Sequence, residues 1–188
     1  MARQPHALTI EPVDLSPLLT HTIPTVATEL GISRPMAERL IRAELGGPAS
    51  FDGTNLTATN EAMNALLTQR DRWADTSVHG IAVRVGPAWW SPEEGRYIGW
   101  HRRLDGKYRD DAIRQVWAVR GAPELVGAAF LATIGGWITE VRRIVDVEPV
   151  HGGWAFDLGP CTQTQQRAYS GRRIPSTPGR QVIRLGES

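Results

Sequence analysis

From Thr22 to Ala43 the apolar residues recur at helical spacing in two short runs separated by a single glycine. Few arrangements bury both runs other than two helices packed across a tight turn. Pro24 suits a first helical position, with Thr22 or Ile23 before it. Val26, Ala27 and Leu30 then share a face, and Gly31 can take the left-handed conformation that ends a helix. A second helix is expected to open at Ser33, a good N-cap, with Pro35 in its first turn. Met36, Ala37, Leu40, Ile41 and Leu45 supply its apolar stripe, and Gly46-Gly47-Pro48 is expected to stop it. Asp52-Gly53 predicts a short hairpin within Ser50 to Leu56. Asn60 to Gln69 reads as a third helix with Met63, Leu66 and Leu67 inward.

Strand signals take over after the polar stretch Arg70 to Ser77. Ile81, Val83 and Val85 alternate, and Val116 to Val119, Ala128 to Ile134, Trp137 to Val147, Trp154 to Leu158 and Val182 to Leu185 are further candidates. Gly135-Gly136 and Gly152-Gly153 read as hairpin turns, with short helices near Asp110 and over Thr162 to Tyr169. The expected organisation is an arm over 1–20 with one helical turn at Leu15 to Leu19, a helical unit over 21–72, and a strand-rich domain over 78–188. The fold class is therefore α+β.

With 188 residues, 41% of them hydrophobic, the chain can bury a core. It has no apolar run of the roughly 18 residues that a membrane span needs, and its start lacks the pattern of a signal peptide. A soluble, cytoplasmic protein with no membrane partner is expected. Cys161 is the only cysteine, which excludes a disulfide framework and a multi-thiolate metal site. The net charge of +1 hides a division: residues 1–77 sum to −3 and residues 78–188 to +4. Lys107 is the only lysine; every other basic residue is arginine. The planar arginine fork suits phosphates and guanine edges, although codon bias produces the same excess.

A helix pair that reads DNA needs a small residue where the helices touch, a turn that breaks the first, and an apolar mini-core. Ala27 is the small contact, Gly31 the turn, and Val26, Leu30, Ile32, Ala37 and Leu40 the mini-core. Ser33, Arg34, Glu38, Arg39 and Arg42 remain outward on or beside the second helix, where base edges and phosphates are met. With the hairpin and the third helix, residues 20–70 resemble the helix-turn-helix of excisionase-like and related winged regulators. The resemblance implies contact with duplex DNA through Ser33, Arg34, Arg39 and Arg42. The unit is nevertheless net acidic, and Glu38 stands among the contact positions. A helical packing or protein-docking module has the same pattern.

Six of the seven tryptophans lie after residue 78. Core packing accounts for most tryptophans; a pocket for a planar ring is the alternative. Trp100-His101-Arg102-Arg103 groups a stacker with possible donors, and Gly171-Arg172-Arg173 could grip a phosphate through charge-assisted forks. The order of a tryptophan strand (Asp111 to Val119), an apolar strand, a glycine turn and a Val-Arg strand (Ala128 to Ile144), a Trp-x-Phe-x-x-Gly strand (Gly153 to Gly159) and Tyr169-Ser-Gly-Arg-Arg resembles the PUA-like domains, the group that includes ASCH and EVE. The resemblance implies a small β-barrel whose pocket takes a nucleobase, often a modified one. By position it places Arg114, Trp117, Trp154 and Phe156 at that pocket. The glycine-lysine signature of ASCH proteins is absent.

The sequence has no enzyme signature. His101 and His151 have no metal spacing, Cys161 has no assignable partner, and no glycine-rich phosphate loop is present. No cofactor and no metal are expected. The reading is thus a DNA-binding reader or regulator with a base-sensing domain, a homodimer being left open. Its alternatives are a ligand-sensing transcription factor, and an enzyme of nucleic-acid processing that binds magnesium through carboxylates such as Asp110, Asp111 or Glu140.

Overall fold

Pro24 lies in the first turn of α1 (Ile23–Leu30), and Gly31 ends that helix at φ 66° and ψ 39°. The computed structural model describes residues 20–114, 116–175 and 179–186. The expected helical turn at Leu15 to Leu19 lies outside them. Ser33 is the extended N-cap position of α2 (Arg34–Arg42), although its side chain makes no cap hydrogen bond. Val26, Ala27 and Leu30 of α1 meet Ala37, Leu40 and Ile41 of α2, all buried. Burying each of the larger ones is worth about 1.5–3 kcal/mol. The second helix stops earlier than Gly46. Glu44 itself turns left-handed at φ 55°, and Leu45 N–H closes the end on Leu40 O at 3.1 Å. Gly46 serves close packing instead, since a side chain there would collide with the Ala62 carbonyl and Leu66.

The expected hairpin is β2 (Ala49–Asp52) and β3 (Asn55–Thr59), joined through Gly53 at φ 62°. A strand the sequence did not announce, β1 (Thr20–Thr22), pairs with β3 and gives the order β1-β3-β2, all antiparallel. In α3 (Asn60–Arg70), Thr59 caps the first turn by accepting a hydrogen bond from Ala62 N–H at 3.2 Å.

The second half is organised by a five-stranded sheet with the strands β4 (Gly80–Arg84), β7 (Ala129–Ile134), β8 (Trp137–Val150), β9 (Gly153–Gly159) and β10 (Val182–Leu185). Their order is β10-β4-β7-β8-β9, with β4 and β7 parallel and the other pairs antiparallel. All six residues of β7 are buried, as a central strand covered on both faces requires. The crossover from β4 to β7 holds the hairpin β5 (Trp89–Ser91) and β6 (Arg96–Ile98), then α4 (Gly106–Ile113) and a 3-10 turn at Ala122–Leu125. The last helix, α5 (Gln163–Tyr169), carries a capping box between Thr162 and Gln165.

The sheet does not close into the expected barrel, because β9 and β10 are its two ends and do not pair. The outer edge of β9 is instead met by the segment around Trp117. Trp117 and Trp154 exchange two backbone hydrogen bonds of 3.0 Å, and Phe156 N–H donates to Arg114 O at 3.0 Å. The strand expected over Val116 to Val119 is thereby reduced to a single bridge at Trp117.

One apolar cluster runs through both halves, from Val26, Leu40 and Leu66 to Ile81, Phe130, Trp137 and Phe156. A second lies on the other face of the sheet, where Tyr169 and Ile174 pack on Leu131, Ile138 and Leu185. The helix pair is seated on the sheet at the β7–β8 turn. Gly135 there has φ 60°, and any side chain on it would run into Met36 of α2. The loop after β6 meets the other end of α2, where Arg102 N–H donates to Ala43 O at 3.2 Å.

Candidate nucleic-acid interface

The exposed side of α2 presents Arg34, Arg39 and Arg42, with Ser33 at its start. Glu38 does not lie free among them, since Arg42 Nε sits 2.8 Å from its Oε1 one turn along the helix. The next acid, Glu44, is buried and held by Arg103, with Nε–Oε2 at 2.9 Å and Nη2–Oε1 at 2.5 Å. Arg34 and Arg39 form no ion pair among the described residues. The surface of α2 is therefore more cationic than the composition of its unit.

The loop from Trp100 to Arg103 folds differently from an open stacking patch. Trp100 is buried and donates Nε1–H to Glu140 Oε2 at 3.4 Å. His101 is buried too, and its Nδ1 accepts Arg103 N–H at 3.1 Å. Burial, with Arg103 as a lesser cause, pushes the His101 pKa below the ordinary histidine value, against the opposing pull of Glu44. Only Arg102 and part of Arg103 face outward, at the C-terminal end of α2.

The four residues placed at a base pocket do not converge on one. Trp117 is 9% exposed with its Nε1–H on Ile113 O at 2.8 Å, and Phe156 is sealed against Phe130. Trp154 is half-buried against the main core. Arg114 is shared between Asp111 at 3.4 Å and Asp157 at 3.2 Å. Arg114 and Phe156 border a cleft of about 430 Å³ whose lining also includes Lys107, Asp110, Asp111 and Asp157, but neither tryptophan. A second cleft of the same size holds Glu140, Arg142, Cys161 and Ser170. Its thiol donates to Gln166 Oε1 at 2.7 Å.

Arg172 and Arg173 enclose a structure that the sequence did not disclose. Residues around Trp73 and Trp137 flank the chain at Arg173, joined by isolated bridges. The Arg173 guanidinium lies 3.6 Å from the centroid of the Trp137 ring and 5.2 Å from that of Trp73. Its Nη1 donates to Arg70 O at 3.0 Å, and Arg172 Nη1 donates to Trp73 O at 3.1 Å. Arg173 is thus packed between rings, not held out for a phosphate. Trp73, a lone aromatic in a polar stretch, was the one signal available for this feature.

Among the described residues no three metal-ligating side chains gather. Asp110 and Glu140 are both ion-paired to Arg142, at 2.8 and 3.1 Å, and Glu140 also to Arg109 at 3.3 Å. No helix among the described residues is long and apolar enough to cross a membrane. Compared with known proteins, the chain matches no family model, no curated protein and no solved structure.

Proposed function

We propose that the protein binds duplex DNA through α2, as a cytoplasmic reader or regulator of the helix-turn-helix kind. The observation that carries this reading is the separation of charge on α2. Both acids of its stretch, Glu38 and Glu44, are held by arginines, while Arg34 and Arg39 are exposed without an acidic partner among the described residues. Guanidiniums in that state gain counterion release on meeting phosphates, and the helix start is where base edges are reached. The β2–β3 tip, with Asp52 and no cation, adds nothing to the attraction.

The resemblance of the strand-rich half to PUA-like domains belongs to the same proposal, in which that half seats and orients the helices. Base sensing by Arg114, Trp117, Trp154 and Phe156 is not part of it, because Trp117 and Phe156 belong to the core. The test is titration of labelled duplexes, methylated and unmethylated, over a salt series. Binding that weakens steeply with salt supports the reading, and absence of binding to every duplex at low salt removes it.

A further inference from the structure

We propose that Trp73 is a stacking platform for an unpaired nucleobase, lying beside the helix pair and independent of the α2 surface. Trp73 is 52% exposed. One side of the ring is met by a guanidinium that is itself anchored in the core. Arg173 lies against Trp73 at 5.2 Å and against the fully buried Trp137 at 3.6 Å. The backbone is pinned as well: Ala74 N–H donates to Arg173 O and Arg173 N–H to Arg72 O, both at 2.8 Å. The result is a ladder of ring, guanidinium and ring, rooted in the core and open at its outer rung. Trp89 is equally exposed but has no ring or guanidinium partner among the described residues.

The charge beside the platform suits a nucleic-acid strand. Arg173 lies against the ring, Arg172 donates to the Trp73 carbonyl, and Arg70 and Arg72 precede it in the chain, with Asp71 and Asp75 as the neighbouring acids. Asp71 is taken by Arg70 at 2.8 Å, and Asp75 accepts from Ser77 N–H and Oγ–H at 3.1 and 2.6 Å. Arg72 is exposed and, like Arg172, forms no ion pair among the described residues. A flat ring with guanidiniums close by in the chain binds a base by its π-face and the neighbouring phosphates by charge. The platform adjoins the helix pair, since Arg70 Nη1 donates to Glu29 O near the end of α1 at 3.0 Å.

The experiment measures binding of the full chain to a blunt duplex, to the same duplex with a single-stranded overhang, and to a single-stranded DNA oligonucleotide. Stacking is worth about 1–3 kcal/mol per base, so Trp73→Ala is expected to weaken single-strand and overhang binding by about 5- to 150-fold. It leaves the blunt duplex unaffected, and Trp73→Phe keeps most of the affinity. Arg72→Glu, which leaves the ladder in place, also weakens single-strand binding and serves where Trp73→Ala does not fold. Wild-type protein that ignores single-stranded DNA, or a folded Trp73→Ala variant that binds it like wild type, would overturn the proposal. Single-strand binding that depends on Trp73 without any blunt-duplex binding would uphold it and sink the α2 reading instead.

Discussion

Arg103, in the loop after β6, holds Glu44, just past the end of α2, by two hydrogen bonds of 2.9 and 2.5 Å. The partners are unequally placed: the Glu44 side chain is 2% exposed and that of Arg103 38%. Removing one partner therefore costs more on one side. Arg103→Ala leaves a buried carboxylate that, among the described residues, keeps a hydrogen bond from Ala49 N–H at 3.3 Å, an expected loss of about 3–5 kcal/mol. Glu44→Ala lets the guanidinium turn to water and is expected to cost about 1–2 kcal/mol. Urea unfolding of both variants at neutral pH checks the order, and equal losses would contradict it.

Acid should loosen the same junction. Burial lowers the His101 pKa in the folded protein, whereas the unfolded chain titrates near the ordinary value of about 6.5. Below that pH the unfolded state binds the extra proton and the folded state does not, so stability falls as pH falls until the depressed folded pKa is reached. Urea midpoints between neutral and mildly acidic pH should drop for wild type. In His101→Gln, which cannot titrate, the slope over this window should flatten.

Gly135 and Met36 should show strong coupling. Gly135→Ala adds a methyl where Met36 lies and strains a backbone at φ 60°, for an expected loss of about 1–3 kcal/mol. In a Met36→Ala background the steric part disappears and only the backbone part remains. A double-mutant cycle on thermal or urea unfolding reads the difference; additive losses would mean that α2 does not rest on this turn.

On the α2 surface, Arg39→Ala is expected to weaken duplex binding and to lower the magnitude of the log–log salt slope by about 0.9, the value for one lost phosphate contact. Stability should stay within about 0.5 kcal/mol, since the side chain is exposed and forms no ion pair among the described residues. Anisotropy titrations at several salt concentrations, beside a melting curve, separate the two effects.

Local signals were legible where one residue type decides the backbone. Gly31, Gly53 and the Gly135-Gly136 pair sit at the turns expected of them, and the periodic runs give α1, α2, α3 and β7 to β10 nearly as read. The end of α2 was missed because a buried ion pair, not a glycine, holds the left-handed residue there, and its partner lies 59 positions away. The closed barrel failed for a related reason: strand patterns report which face is buried, not whether the two edge strands meet. Of the site residues, the arginines of α2 are exposed as periodicity requires. Trp100 and Trp117 are not, because an indole in a short motif reads the same whether it lines a pocket or fills a core.

The pairing of β10 with β4 joins Leu185 to Gly80. On a ribosome, β4 emerges about a hundred residues before the strand that covers its outer side, and it waits with backbone donors and acceptors unclaimed for that whole interval. The nascent chain is at its stickiest during synthesis of the segment between them. Anything that stalls translation before Leu185 leaves a β4 edge ready to pair with the same edge of another chain.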